Sequence, residues 1–158
     1  MSNETPDSPG EGSESPLVKQ LEQILPQGDI ADVTSEWLDE RSMPWCMRDN
    51  AGPLLKSGEP FVLNLDDTEG NGTHWVAVRR IGDTLLYADP FGSRYLNGYP
   101  PKEINIYPRR VVSTKAFQHP NTNYCGYYAY LFAKKMKEIK SIPKNGNNLS
   151  GILEFNKL

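Results

Sequence analysis

Four residues in this chain carry side chains suited to acyl transfer and follow one another in a workable order: His74, Asp89, Gln118 and Cys125. Cys125 opens the run Cys125-Gly126-Tyr127-Tyr128, ahead of a long apolar stretch. A cysteine attacks carbonyl carbon as its thiolate, and a helix N-terminus favours that negative charge. Gly126 leaves the adjoining backbone N–H unobstructed, which suits the close approach of a substrate carbonyl. The competing reading is that Cys125 packs as a small buried hydrophobe. His74 begins the run His-Trp-Val-Ala-Val, and His119 is the only other histidine. A turn at Gly82-Asp83 would set Asp89 opposite Val76, one diagonal step from His74. A turn centred on Ile81-Gly82 would set the two directly opposite. Both registers keep the pair on one face, within reach of a His–carboxylate hydrogen bond that would hold the tautomer and support an imidazolium. Asp89 also precedes Pro90, and a turn-starting role competes with the catalytic one. Gln118 lies seven residues before Cys125 with a turn-forming loop between them. Its side-chain N–H could share an oxyanion hole with the Cys125 N–H.

The elements that must position these groups can be read from pattern. Leu17, Leu21, Ile24 and Leu25 mark an amphipathic helix, ended by Pro26 and Gly28. A second short helix is expected over 32–40, capped by Thr34 or Ser35. Residues 43–60, broken by Pro and Gly, are expected to be mostly loop. Residues 61–65, 74–80, 84–91 and 104–112 are rich in Val, Ile, Tyr and Phe and read as strands, the middle two forming an antiparallel hairpin. A helix from Cys125 to Lys140 follows, signalled by Asn121, Thr122 and Asn123, with lysines gathered near its end. Helices, then a sheet, then a helix define an α+β domain.

Bulk properties narrow the function classes. The mean hydropathy of -0.60 reflects largely one segment: residues 1–16 hold four acids, no base, and no aliphatic or aromatic residue after Met1. That composition predicts a disordered acidic tail, leaving 17–158 as a single domain. Setting the tail's acids aside moves the formal net charge from -3 to about +1. A nearly neutral domain does not call for nucleic acid, though local basic patches remain compatible with it. No apolar run is long enough to span a membrane, and no secretory signal is evident, so a protein that is not secreted is expected. The sequons at Asn71 and Asn148 then carry no glycan, and two cysteines do not make a disulfide framework, although one bridge is compatible with the sequence. Cys46, Cys125, His74 and His119 are zinc-ligand types, but they lack the close paired spacing of structural zinc sites; no metal or other cofactor is expected. His119, followed by Pro120 and close to Cys125 in sequence, is expected to be an exposed loop residue.

The order His74-Trp75, Asp89-Pro90-Phe91-Gly92, then Gln118 with six residues between it and Cys125-Gly126, resembles the adenovirus protease (adenain) family and its wider relatives, the ubiquitin-like-protein proteases. The segment Trp45 to Asp49 and the run from Phe61 to Val78 resemble the branch found in viruses and virus-like mobile elements. The resemblance implies a papain-like cysteine protease fold of the adenain type, with a mixed or antiparallel sheet against helices and the nucleophile at the start of a core helix. It implies Cys125 as nucleophile, His74 as general base and acid, Asp89 as its orienting group and Gln118 in the oxyanion hole. Trp75 would shape or shield the site. The implied activity is endoproteolysis of viral structural or precursor proteins at glycine-containing sites during particle maturation, by a monomer in the virion or infected cell. Relatives also suggest an activating peptide or DNA. Neither the near-neutral charge nor Cys46, the only other thiol, points specifically to either. The alternatives are removal of ubiquitin-like modifiers, or a catalytically silent capsid-associated module of the same fold.

Overall fold

The computed structural model describes residues 33–66, 70, 74–91, 100–112 and 125–140. The acidic tail, the helix expected over 17–25, Gln118, His119 and the cap residues Asn121–Asn123 lie outside these residues. Helix α1 spans Ser35–Glu40; Thr34 caps it by accepting a hydrogen bond from the Trp37 N–H at 3.2 Å. Its buried Leu38 faces the core, and Trp45 Nε1 donates to Asp39 Oδ1 at 2.8 Å, tying the helix to the following strand. Strand β1 (Trp45–Met47), a 3₁₀ turn (Arg48–Asn50) and helix α2 (Gly52–Ser57) come next.

The expectation of loop through 43–60 is therefore corrected. Pro44, Pro53 and Pro60 flank the elements or occupy a helical first turn, where a missing N–H costs little. Strand β1 exists because β2 (Phe61–Asn64) pairs with it in parallel, Cys46 against Leu63. Bonds at both ends extend that pairing: Val62 N donates to Pro44 O and Arg48 N to Asp66 O, each at 2.9 Å.

Strand β3 (Trp75–Ile81) runs antiparallel to β2 and to β4 (Thr84–Ala88), and β5 (Arg109–Val112) lies parallel to β4. The five-stranded mixed sheet thus has the order β1-β2-β3-β4-β5. The strand expected over 104–112 begins only at Arg109; Pro108, just before it, has no N–H to give a ladder. Helix α3, Cys125–Met136, is shorter than expected, with turns continuing it through hydrogen bonds such as Ile139 N to Met136 O. The described part is a mixed α+β arrangement.

Alternation along the strands sorts the core into two layers. Val62, Trp75, Ala77, Leu86, Ala88 and Val111 pack with α3, whose Phe132, Ala133 and Met136 are fully buried. Phe61, Leu63, Val76, Val78, Leu85 and Tyr87 form the second layer with Leu55 of α2 and Ile104. Arg79 clamps the end of α3 to the sheet: Nη1 donates to Met136 O and Ile139 O at 2.6 and 3.0 Å, while Nε reaches Gly58 O. Met136 O also accepts from Ile139 N, so the clamp adds a second bond there and gives Ile139 O, just past the helix terminus, a donor.

Candidate active site

The β3–β4 hairpin is the ruler of the site. Ile81 pairs with Thr84 across Gly82-Asp83, and Gly82 adopts φ 61°, a left-handed conformation that glycine takes without strain. Ala77 pairs with Ala88, so continuing the register puts Asp89 opposite Val76 and diagonal to His74. Of the two registers open to the sequence, the turn at Gly82-Asp83 is the one formed. His74 stands just before β3, its carbonyl accepting from Leu65 N at 2.8 Å.

The side chains close the diagonal. His74 Nε2 lies 2.7 Å from Asp89 Oδ1. Both residues are buried, at 4% and 0% exposure, so the contact is shielded from water and salt. Asp89 Oδ1 also accepts from the Phe91 N–H at 2.8 Å. The Phe91 ring lies nearly parallel on the imidazole, with centroids 4.6 Å apart and planes 8° apart. A carboxylate at one ring nitrogen and a phenyl face against the ring leave little freedom to flip or tilt. Asp89 thus holds the histidine and secures the Asp-Pro-Phe turn through the same oxygen.

Cys125 is the first residue of α3 and is 4% exposed. Its neighbour Gly126 is held against β3 so closely that a Cβ there would overlap Val33 Cβ and come within 3.0 Å of Trp75 Cδ1. Gly126 is therefore needed for packing, whatever access it also gives a substrate. Trp75 follows His74 directly, so cysteine and histidine each stand one residue from this single helix–strand contact. Trp75 itself is buried under the helix and meets Trp45 edge to face, centroids 6.4 Å apart. Gly126→Ala is expected to lower stability by about 1–3 kcal/mol, the usual cost of forcing a methyl into a filled core. Thermal unfolding measures it; an unchanged midpoint would mean that Val33 and Trp75 yield freely.

Cys46 is a different kind of thiol. It sits in the second core layer, across the sheet from Cys125, and both cysteines are free. A bridge between them, compatible with the sequence, is not formed. Burial, with a smaller contribution from the Asp49 charge, pushes the Cys46 thiol up to about 12. It stays protonated and unreactive near neutrality. Among the described residues no group of three or more His, Cys, Asp and Glu side chains is placed to hold a metal ion. No helix among them is long and apolar enough to cross a membrane.

The structure brings His74, Asp89, Trp75, Cys125 and Gly126 to one end of the sheet, while Gln118 lies outside the described residues. Phe91, read from the sequence only as part of the Asp89-Pro90-Phe91-Gly92 run, gains a contact role that sequence reasoning did not assign. The signal for it was its place two residues beyond Asp89, where its N–H reaches back to the carboxylate.

No protein-family model, curated protein or solved structure matches this chain.

Proposed function

We propose that this chain is a cysteine endopeptidase of papain-like, adenain-type architecture. The reading rests chiefly on one observation: a buried, hydrogen-bonded and ring-stacked His74–Asp89 pair, with the start of the Cys125 helix packed through Gly126 on Trp75, the residue after His74. Asp89 engages Nε2, so Nδ1 is the atom that exchanges a proton with the thiol. That exchange passes around the end of the sheet, because His74 falls in register with Val76 and Val78 while Cys125 belongs to the layer of α3.

In the proposed cycle the Cys125 thiolate attacks the scissile carbonyl carbon, aided by the helix N-terminus and by the imidazolium of His74. The Cys125 N–H and Gln118 bind the oxyanion. His74 then gives its proton to the leaving amine, the C–N bond breaks, and a thioester remains. Water, deprotonated by His74, hydrolyses it and returns the enzyme. No step calls for a metal. Glycine-containing sites in viral structural or precursor proteins are the substrate class that the sequence resemblance supplies.

The reading is tested by the alkylation rate of each cysteine against pH, followed by mass spectrometry. An ordinary thiol titrates near ~8.5. Cys125 is expected to react with an inflection well below that, and His74→Ala to return the inflection to the ordinary range. Cys46, raised to about 12, is expected to stay nearly unreactive throughout. A Cys125 that titrates ordinarily, or that ignores His74→Ala, would mark a silent module and overturn the proposal.

A further inference from the structure

At the other end of α3 the structure carries a second concave feature that the peptidase chemistry does not use. A cleft of about 380 Å³ lies between the C-terminal half of α3, the Arg41–Pro44 connection and the Glu59-Pro60 turn. At 1.5 Å of rise per residue, Lys134 stands roughly 14 Å along the helix from Cys125. Its lining divides by burial. Met43, Pro60 and Ala133 are buried and apolar, while Arg41, Lys134 and Lys137 are exposed and cationic. Glu59 is the single acid among the described residues of the lining.

The cations are held differently from one another. Arg41 lies flat on the Trp37 ring, its guanidinium carbon 3.7 Å from the centroid, with Nη1 on Trp37 O and near Glu40 at 3.7 Å. Lys134 Nζ stands 5.4 Å over the Tyr130 ring, and neither it nor Lys137 forms an ion pair among the described residues. Lys135, on the same helix, is instead satisfied by Glu138 at 3.5 Å. Lys134 and Lys137 thus leave positive charge on the rim of an apolar floor with no ion-pair partner among the described residues.

We infer that this cleft is a docking site for an acidic peptide segment of a partner protein, one apolar side chain entering it while flanking carboxylates meet Lys134, Lys137 and Arg41. Charge complementarity selects the acids, and the buried floor selects the apolar residue. Nucleic acid fits less well, because single strands bind by stacking bases on open aromatic faces. Here Tyr130 is buried, and Trp37 is covered by Arg41 and meets Tyr127 and Tyr130 edge to face at 5.0 Å. The acidic segment 1–16 of this chain has suitable charge but no aliphatic or aromatic residue after Met1 to fill the floor. The inference does not rest on the peptidase reading, since binding is measured without turnover.

The experiment is fluorescence anisotropy with full-length protein and a short labelled peptide in which one leucine is flanked by glutamates. Saturable binding is expected, weakening as salt rises and falling about tenfold or more in Lys134→Glu/Lys137→Glu. Both lysines are exposed, so thermal unfolding should confirm that the double variant is folded. Serine in place of the leucine should also weaken binding. Three results would overturn the inference: no saturable binding; binding indifferent to the double reversal; or preference for a labelled oligothymidylate, which would assign the cleft to nucleic acid. Binding that appears only after Glu4, Asp7, Glu11 and Glu14 are neutralised in the full chain would assign it to the chain's own acidic segment and overturn a partner in trans.

Discussion

Cys125→Ala is expected to eliminate hydrolysis of glycine-containing peptides, a fall of at least ~10³-fold in kcat, because covalent catalysis has no substitute for its nucleophile. Stability should change little by comparison. Alanine removes one buried sulfur at the start of α3, and neither the sheet pairing nor the Arg79 clamp at the far end of the helix involves Cys125. The matched control is Cys46→Ala. That residue is also buried but lies in the opposite core layer, so its loss should lower the unfolding midpoint modestly and leave kcat/KM in place. Equal loss of activity in the two variants would remove Cys125 from its role. The pH behaviour of Cys46 gives an independent check. The fold holds the neutral thiol, so that stabilisation is complete below the ordinary thiol range and is lost as pH climbs towards about 12.

The second large effect concerns Asp89, where two substitutions separate charge from geometry. Asp89 Oδ1 accepts from both His74 and the Phe91 N–H. Asparagine can present an oxygen at the same place, so Asp89→Asn should keep the histidine oriented and remove only the charge that supports its imidazolium. A decline of roughly tenfold in kcat, with KM nearly unchanged, is the expected result. Asp89→Ala withdraws the acceptor from two buried donors, and leaving such a group unsatisfied costs about 1–3 kcal/mol. With the imidazole no longer held, kcat should fall by about 10²-fold or more, within the range typical of positioned acid–base groups. The shift in the Cys125 alkylation profile should shrink in the same order, alanine more than asparagine. Wild-type kinetics in both variants would leave Asp89 with its turn alone.

The parts legible in the sequence were those set by short-range rules. The β3–β4 pairing followed from two β-rich runs joined by a short loop, and a period of two then put His74 and Asp89 on one face. Thr34 or Ser35 could be named as the cap because a hydroxyl ahead of a helical run can accept from an orphan first-turn N–H, and Thr34 is the one that does. Strand β1 was hidden because Trp45, Cys46 and Met47 have no alternation of their own and gain their hydrogen bonds from β2, over a dozen residues away in sequence. The reach of Arg79 to the end of α3, and the cleft shared by Met43, Pro60 and Lys134, were likewise products of packing between distant segments. Phe91 stood within the Asp89-to-Gly92 motif without a role of its own until its ring was seen lying on His74. Gln118 remains an assignment by sequence, outside the described residues.

The Gly82-Asp83 turn lies at the opposite end of the hairpin from the site, about seven strand residues from His74, or roughly 23 Å. It touches no reacting group, yet it counts the residues between the histidine and its carboxylate. One residue added or removed there would slip β4 by a single step, turning Asp89 to the other face and inverting the layers of Leu85, Leu86 and Tyr87. The turn therefore works as a reading frame for the site. Side chains within it can vary where the left-handed backbone at Gly82 allows, but its length cannot change without displacing the His74–Asp89 pair and the core together.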